Sequence, residues 1–184
     1  MAIKKTSKEE ILQKAIKLFK LKGYYNCSMA NIADACGLIK GSIYHYFKSK
    51  DEIGIESLKY IHNYFVDNIF SIAYDKNLKD EEKIKLIVKK TDEYFLNSKG
   101  GCLLGNLALE VSSENIDFKE VIKEYFTAWE NALFNIFKNK YEESKSRILA
   151  REYVALIQGS IMMMNLYDDS SNYLQVGEKL ISLI

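Results

Sequence analysis

Five small or hydrogen-bonding residues stand close together near the N-terminus: Lys40, Gly41, Ser42, Tyr44 and His45. Such residues suit the face of a helix that enters the DNA major groove, because they bind base edges and leave room for close approach. An ordinary amphipathic helix with mixed packing contains the same residue types. The choice between the two depends on the elements that would position this face.

The segment from residue 28 to residue 47 has the spacing of a helix-turn-helix. Ala33 permits two helices to cross closely, and Gly37, four residues later, can take the positive φ of a tight turn. Ile43 follows after six more residues and would lock the second helix in place. The apolar residues predicted to fill the small core beneath are Ile32, Cys36, Leu38, Ile43 and Phe47.

Positive charge is concentrated in the same part of the chain. Residues 1–50 contain ten lysines and three acidic residues, a net charge of +7, which leaves −6 on residues 51–184 because the whole chain is +1. A basic head on an acidic body indicates that only the head meets a polyanion, although a solvated lysine-rich helix face would also fit. The low overall charge excludes a uniformly basic nucleic-acid coat protein.

The chain is predicted to be helical throughout. Proline is absent, 48% of the 184 residues are hydrophobic, and apolar residues recur at helical spacing. Capping boxes at Ser7 and Ser49 predict the starts of the first and fourth helices. The predicted helices cover about 7–23, 28–36, 39–46, 49–74, 80–97, 102–112, 115–139, 145–167 and 172–184. We therefore expect an all-α fold of about nine helices with a module boundary near residue 50.

The stretch FKLKGYYNCSMANIADACGLIKGSIYHYFKSKDEI resembles the DNA-binding region of TetR-family transcriptional repressors. The matching features, within residues 7–55, are Phe19, Gly23-Tyr24, Ser28, Ile32-Ala33, Gly37, Lys40-Gly41, Tyr44-His45-Tyr46-Phe47 and Ser49-Lys50. Cys27 departs from the pattern, since threonine is often found there. The resemblance implies a three-helix helix-turn-helix DNA-binding domain over 1–50 and a helical ligand-binding and dimerisation domain over 51–184.

The resemblance also implies which positions contact DNA. These are Ser28, Lys40, Gly41, Ser42, Tyr44, His45, Lys48 and Lys50. The residues from 40 to 44 would face base edges and nearby phosphates, and those from 45 to 50 would hold the DNA backbone. Ser28 would cap the second helix and touch a phosphate.

A homodimer that pairs through the last two long helices is a further implication of the resemblance. Both helices are apolar over more than one stripe, as a four-helix interface requires, although they could also pack only on their own body. The predicted interface residues are Tyr153, Leu156, Ile157, Ser160, Met164, Leu180 and Ile181. Two-fold pairing would place two reading helices about 34 Å apart, so the expected partner is a near-palindromic double-stranded DNA operator.

A shorter segment, GGCLLGNLALE at residues 100–110, is similar to one in TetR-family proteins that respond to small organic or electrophilic compounds. Cys102 would lie in the first turn of a helix, where free N–H groups stabilise a thiolate, but a buried apolar cysteine is the alternative. Asn106 and Glu110 share its helix face and either line a cavity or bridge neighbouring helices. Residues of these types at helical spacing form core more often than a cavity lining, and the candidate effector-binding residues among them are Cys102, Asn106, Tyr64, Phe65, Phe126, Trp129 and Met162.

Other chemistries have weak support in the sequence. No metal-ligand spacing, nucleotide-binding loop or membrane-length apolar run appears, so we expect no metal, cofactor or membrane partner. Three cysteines without close pairing indicate a reducing cytoplasm. The expected function is a repressor released from DNA by a small-molecule effector. The alternatives are an effector-activated or effector-independent regulator and, remotely, a cysteine hydrolase using Cys102 with His62.

Overall fold

A computed structural model describes residues 6–111 and 115–184, and its secondary structure is helical throughout those ranges. The helices are α1 (Lys8–Lys22), α2 (Met29–Ala35), α3 (Lys40–Ile43), α4 (Lys50–Asn68), α5 (Asp80–Leu96), α6 (Leu103–Glu110), α7 (Ile116–Phe137), α8 (Glu143–Tyr167) and α9 (Ser171–Ser182). A 3₁₀ helix, Phe70–Tyr74, lies between α4 and α5. The prediction of an all-α fold with about nine helices is confirmed. Within the two described ranges no helix is long and apolar enough to cross a bilayer.

Serine side chains cap the first and fourth helices, as the sequence predicts. The Ser7 hydroxyl accepts the backbone N–H of Glu10 at 3.0 Å, and the Ser49 hydroxyl accepts that of Glu52 at 3.1 Å. The Glu52 carboxylate in turn accepts the backbone N–H of Lys48 at 2.6 Å. Each bond satisfies a donor that the helical pattern leaves unpaired, which fixes where the helix begins.

The fourth helix is shorter than predicted. We expected it to continue to about Tyr74, but α4 ends at Asn68 and the 3₁₀ helix follows. The Asn68 side chain donates to the Tyr64 carbonyl at 2.9 Å, and the Ser71 hydroxyl donates to the Asp67 carbonyl at 2.8 Å. Polar side chains that bond nearby carbonyls compete with the helical backbone pattern, and apolar periodicity does not report this competition.

The described residues form two compact units. The first comprises residues 6–61 together with 103–122, apart from the undescribed 112–114, and the second comprises 62–102 and 123–184. The first unit therefore contains α6 and the start of α7 in addition to the helix-turn-helix, and α6 packs on α1. These compact units differ from the expected domains, since the helix-turn-helix shares its unit with this later segment. The division into domains at residue 50 stays a prediction.

Aromatic rings form the core of the second unit. Phe65, at 0% exposure, lies with its ring centroid 5.3 Å from that of Tyr125 and 6.2 Å from that of Trp129. Phe70, from the 3₁₀ helix, stacks 5.7 Å from Trp129. The 3₁₀ helix is tied to α7 by the Asn135 side chain, which donates to the Ala73 carbonyl at 2.8 Å. This cluster joins α4, the 3₁₀ helix and α7 through ring contacts.

Replacing Gly54 by alanine is expected to destabilise the first unit. A Cβ atom at this position of α4 would lie 2.5 Å from Cζ of Phe118 and 3.0 Å from Cε2 of Tyr24, and packed rings cannot yield cheaply. Such overpacking typically costs about 1–3 kcal/mol, which urea denaturation measures as a lower midpoint. Gly41→Ala is the matched control, because a Cβ there has no neighbour within 4 Å. Equal midpoints for the two variants would contradict the close packing at Gly54.

Candidate nucleic-acid interface

A hydrogen-bonded cap starts α2, the first helix of the helix-turn-helix. The Ser28 hydroxyl accepts the backbone N–H of Asn31 at 3.2 Å, and the Asn31 side-chain oxygen accepts the backbone N–H of Ser28 at 2.9 Å. This reciprocal pair is a capping box that fixes the direction in which the chain enters α2. Ser28 is exposed, so its cap lies at the protein surface.

Gly37 ends α2 with the left-handed turn that the sequence predicts. Its φ is +69°, the backbone N–H of Leu38 donates to the Ala33 carbonyl at 2.9 Å, and that of Gly37 donates to the Asp34 carbonyl at 3.0 Å. Together these bonds form a Schellman motif, which satisfies the last carbonyls of α2. Ala33 is 0% exposed, consistent with the expected close helix crossing.

The recognition helix α3 is a single turn that its core anchors hold. We expected a helix over about 39–46, but α3 covers Lys40–Ile43 and residues 44–46 continue as turns. Ile43 is 0% exposed and Phe47 is 2% exposed, and the Phe47 N–H donates to the Ile43 carbonyl at 3.1 Å. Four residues are too few to form a stable helix alone, so these anchors hold α3 in place.

The surface opposite those anchors presents most of the predicted DNA-contact residues to solvent. We call it the recognition face and define it as residues 39–42, 44 and 45. Lys40, Gly41, Tyr44 and His45 are exposed and Ser42 is half-buried, and Lys48 is exposed just beyond this face. Gly41 has open space around it, with no atom within 4 Å of a Cβ position. Lys40 and Lys48 provide cations that suit phosphates, and the other side chains provide hydroxyl and imidazole groups that suit base edges. Gly41 has no side chain and so allows the DNA to approach the helix closely.

Lys50 differs from the other predicted contacts because its charge is engaged within the protein. Its Nζ donates to the Tyr24 carbonyl at 3.1 Å and lies 4.2 Å from the centroid of the Tyr24 ring. The Tyr24 hydroxyl donates to the Asp51 carboxylate in a short hydrogen bond. Burial, and then this hydrogen bond, raise the pKa of Tyr24 well above its ordinary value. The predicted contact between Lys50 and DNA is untested.

Glu110 is hydrogen-bonded to the same loop, a role that the sequence left open between cavity lining and helix bridging. Its carboxylate accepts the backbone N–H of Tyr24 at 2.9 Å and that of Tyr25 at 2.8 Å. Glu110 is the last residue of α6, so the end of that helix is bonded to the loop between α1 and α2. Phe118 completes the contact with its ring centroid 5.1 Å from that of Tyr24.

The candidate effector-binding residues differ in burial. Phe65, Trp129 and Cys102 are buried in the second unit at 0%, 1% and 5% exposure, and Phe126 is half-buried there beside Tyr125. In contrast, the exposed candidates are Tyr64 and Met162 in the second unit and Asn106 in the first. Burial of Cys102 favours the apolar alternative for its thiol over the reactive one.

Buried polar atoms mark a second feature of this unit. Nε1 of Trp129 and Nδ1 of His62 are buried, and neither has a hydrogen-bond partner among the described residues. Trp129 also borders a cavity of about 10 Å³ between α5, α8 and α9, which is room for roughly one water molecule. A buried donor without an acceptor costs free energy until something binds it, so this region suits a ligand that carries acceptors.

The predicted dimer residues divide into buried and accessible groups. Ile157, Ser160 and Leu180 are 6%, 4% and 1% exposed within their own unit, so they offer little surface to a second chain. The accessible members are Leu156, at 52% exposure, and the half-buried Tyr153, Met164 and Ile181. A groove between α8 and α9, lined by Ala155, Leu156, Gly159, Met163 and Val176 among others, runs beside them.

The geometry of residues 28–48 is that of a helix-turn-helix, and comparison with known proteins identifies the family. Residues 11–56 match the model of bacterial regulatory proteins of the tetR family, and residues 81–179 match that of the LmrA/YxaF-like transcriptional regulator C-terminal domain. The chain belongs to the TetR family of DNA-binding transcriptional regulators. These regulators are not enzymes, which removes the cysteine hydrolase alternative. The proposed subgroup defined by the Gly-Cys-Leu segment is untested.

Individual relatives agree with this assignment along the whole chain. The HTH-type transcriptional regulator YxaF of Bacillus subtilis is 30% identical over 183 residues, which cover 97% of this chain and 95% of that protein. LmrA of the same organism is 26% identical, covering 85% of each chain. The crystal structure of a TetR transcriptional regulator from Legionella pneumophila superposes with a TM-score of 0.88 at 25% identity, covering 100% of both chains.

Replacing Glu110 by alanine is expected to loosen the loop between α1 and α2. Two backbone N–H groups would lose their acceptor. The Tyr24 bond is partly buried, so its loss costs up to about 1–3 kcal/mol, while the exposed Tyr25 N–H can bond to water and costs less. Hydrogen exchange should report faster exchange at the Tyr24 and Tyr25 amides, with a lower denaturation midpoint. Glu124→Ala, at an exposed site of α7, is the control and should change neither. Unchanged protection in Glu110→Ala would mean that the carboxylate does not hold the loop.

Proposed function

We propose that the protein is a repressor that binds a near-palindromic operator as a homodimer and is released by a small-molecule effector. The observation that carries this proposal is the recognition face, which a TetR-type helix-turn-helix holds in one conformation and leaves open to solvent. DNA binding itself follows from the family. What we propose beyond this is repression, a symmetric operator and release by an effector. A DNA-binding regulator would act in the cytoplasm.

The charge distribution supports contact with DNA through residues 1–50. The net charge of +7 on residues 1–50 favours attraction to the DNA backbone, while the −6 on the remainder opposes it. Within the head, the exposed ammonium groups of Lys40 and Lys48 lie at or next to the recognition face. Phosphate contacts from such groups set affinity and register, while Ser42, Tyr44 and His45 supply hydrogen-bonding groups for base edges.

Exposed apolar residues on α8 support pairing of two chains. Leu156, Met162, Leu166 and Tyr167 are 52–67% exposed, and a single helix rarely leaves so much apolar surface in water. A second copy of the same helix would cover this surface in a two-fold arrangement. A pair of recognition helices would then read two half-sites, so the operator is a near-palindrome.

The second unit has the features of an effector site that opens on binding. Ligand pockets are mostly apolar with a few polar groups. The aromatic cluster is apolar, and the unpartnered Nε1 of Trp129 supplies one hydrogen-bond donor there. The cavity of about 10 Å³ beside it is too small for an organic molecule, so an effector would have to prefer a rearranged packing. An electrophilic effector would additionally have to reach a thiol, Cys102, that is 5% exposed.

The segment after Cys102 supplies a route from effector to DNA. It forms α6, which begins at Leu103 and ends at Glu110, and that residue is bonded to the loop between α1 and α2. An effector that favours another position of α6 would therefore strain the helix-turn-helix, in addition to any tilt of α4. Release requires only differential affinity, and a tenfold weaker complex with DNA corresponds to about 1.4 kcal/mol.

The proposal is tested with the full chain and the duplex upstream of its own gene. Mobility-shift titration should give a retarded complex of two protomers, and a footprint should cover two symmetric half-sites. A compound library is then screened for loss of the complex. A single-protomer complex or an asymmetric site would refute the dimeric operator model, and a compound that tightens binding would make the protein an effector-activated regulator.

Removing the charge of Lys48 is expected to weaken binding to every duplex by a similar factor. A phosphate contact carries no sequence information, and losing one should reduce the slope of log affinity against log salt by about 1. Mobility-shift titrations of Lys48→Ala at several salt concentrations measure both effects. Lys138→Ala, at an exposed lysine of the second unit, is the control. A loss confined to one base position would assign Lys48 to base reading instead.

A charge in the groove between α8 and α9 is expected to separate the proposed dimer into protomers without unfolding them. Leu156 is half exposed, so glutamate at this position costs little in one chain but would bury charge against a partner. Sedimentation should give a dimer for the original protein and a monomer for Leu156→Glu at matched concentration. Leu96→Glu, at a residue of α5 with 46% exposure, should remain dimeric. A dimeric Leu156→Glu would move the interface elsewhere.

A further inference from the structure

We propose that Ile39 reads the C5-methyl group of a thymine in the major groove and so sets one base of the operator. The inference rests on the proposed function, because it requires that the recognition face enters the groove.

Ile39 is an aliphatic side chain that the protein leaves in solvent. Its exposure is 78%, and among the large hydrophobic residues that the structure describes only Leu109, at 89%, is more exposed. Single exposed apolar residues are common on protein surfaces, so exposure alone decides nothing. The position of Ile39 indicates a role in DNA binding, because it immediately precedes Lys40 and belongs to the recognition face. The nearby Ile43, in contrast, is fully buried.

The backbone on both sides of Ile39 is held by hydrogen bonds. The N–H of Leu38 donates to the Ala33 carbonyl at 2.9 Å, and the carbonyl of Ile39 accepts the N–H of Ser42 at 2.9 Å. The φ and ψ of Ile39 are −71° and 147°, an extended conformation that a β-branched residue adopts without strain. Branching at Cβ restricts χ1, so little side-chain entropy remains to be lost on binding.

The chemistry of the major groove selects the partner. Lys40, Ser42, Tyr44 and His45 all carry hydrogen-bonding groups, but Ile39 has none. An apolar side chain gains from contact with the thymine methyl group. Against adenine, guanine or cytosine it would desolvate donors and acceptors without replacing their hydrogen bonds. A thymine methyl is therefore the group that Ile39 recognises.

The experiment removes that methyl group and the isoleucine side chain separately. High-affinity duplexes are first selected from a random library with the full-length protein. Each thymine of the selected duplex is then replaced in turn by deoxyuridine, which lacks only the methyl group. Affinities are measured for the original protein, for Ile39→Ala and for the control Leu109→Ala, whose side chain is also exposed but lies on α6. All three proteins are checked for the same helical content and denaturation midpoint.

Replacing one thymine in each half-site by deoxyuridine should weaken binding about fourfold, which corresponds to the transfer free energy of one buried methyl group. In Ile39→Ala that sensitivity should vanish, while Leu109→Ala should keep it. If no thymine is sensitive, or the sensitivity persists in Ile39→Ala, the role of Ile39 is refuted while the operator model stands. If the selection yields no sequence preference at all, the operator model fails with it.

Discussion

The left-handed turn at Gly37 is the constraint on which the DNA-reading surface depends. An L-residue with a side chain would pay about 1–2 kcal/mol to take this conformation, and only this conformation lets Leu38 donate to the Ala33 carbonyl. That bond sets where the chain leaves α2. The four residues of α3 have too few internal hydrogen bonds to hold a helix by themselves. Their placement comes from the turn before them and from the buried Ile43 and Phe47 after them.

The DNA-binding unit is more than the first three helices. A segment from the later part of the chain joins it: the Glu110 carboxylate accepts the Tyr24 and Tyr25 N–H groups, and the Phe118 ring contacts that of Tyr24. Lys50 donates to the Tyr24 carbonyl in the same loop. One consequence is electrostatic: the ammonium of Lys50 is bonded to the Tyr24 carbonyl and lies over its ring, whereas Lys40 and Lys48 are exposed at or next to the recognition face. The other is mechanical, because a shift of α6 acts directly on the loop that orients α2.

The second unit combines dense aromatic packing with buried polar atoms that lack partners. Phe65 and Trp129 are buried in the cluster, while Tyr64, whose ring centroid lies 5.9 Å from that of Phe65, and Met162 are exposed. Helical spacing identifies an apolar stripe but not which neighbour covers it, so core, ligand lining and dimer surface look alike in the sequence. The unpartnered Nε1 of Trp129 is visible only when the hydrogen bonds of the surrounding helices have been assigned.

Local chemistry let the sequence alone predict the helical class, the serine caps at Ser7, Ser28 and Ser49, and the positive-φ turn at Gly37, since each depends on residues a few positions apart. The same is true of the face formed by Lys40, Gly41, Ser42, Tyr44 and His45, whose spacing separates it from the core anchors Ile43 and Phe47. Tertiary structure decided the rest. The bond from Glu110 to a loop 85 residues away, the inward charge of Lys50 and the early end of α4 all depend on which helices meet. Long-range packing determines which helices are in contact, and the apolar periodicity of one helix does not indicate which other helix packs against it.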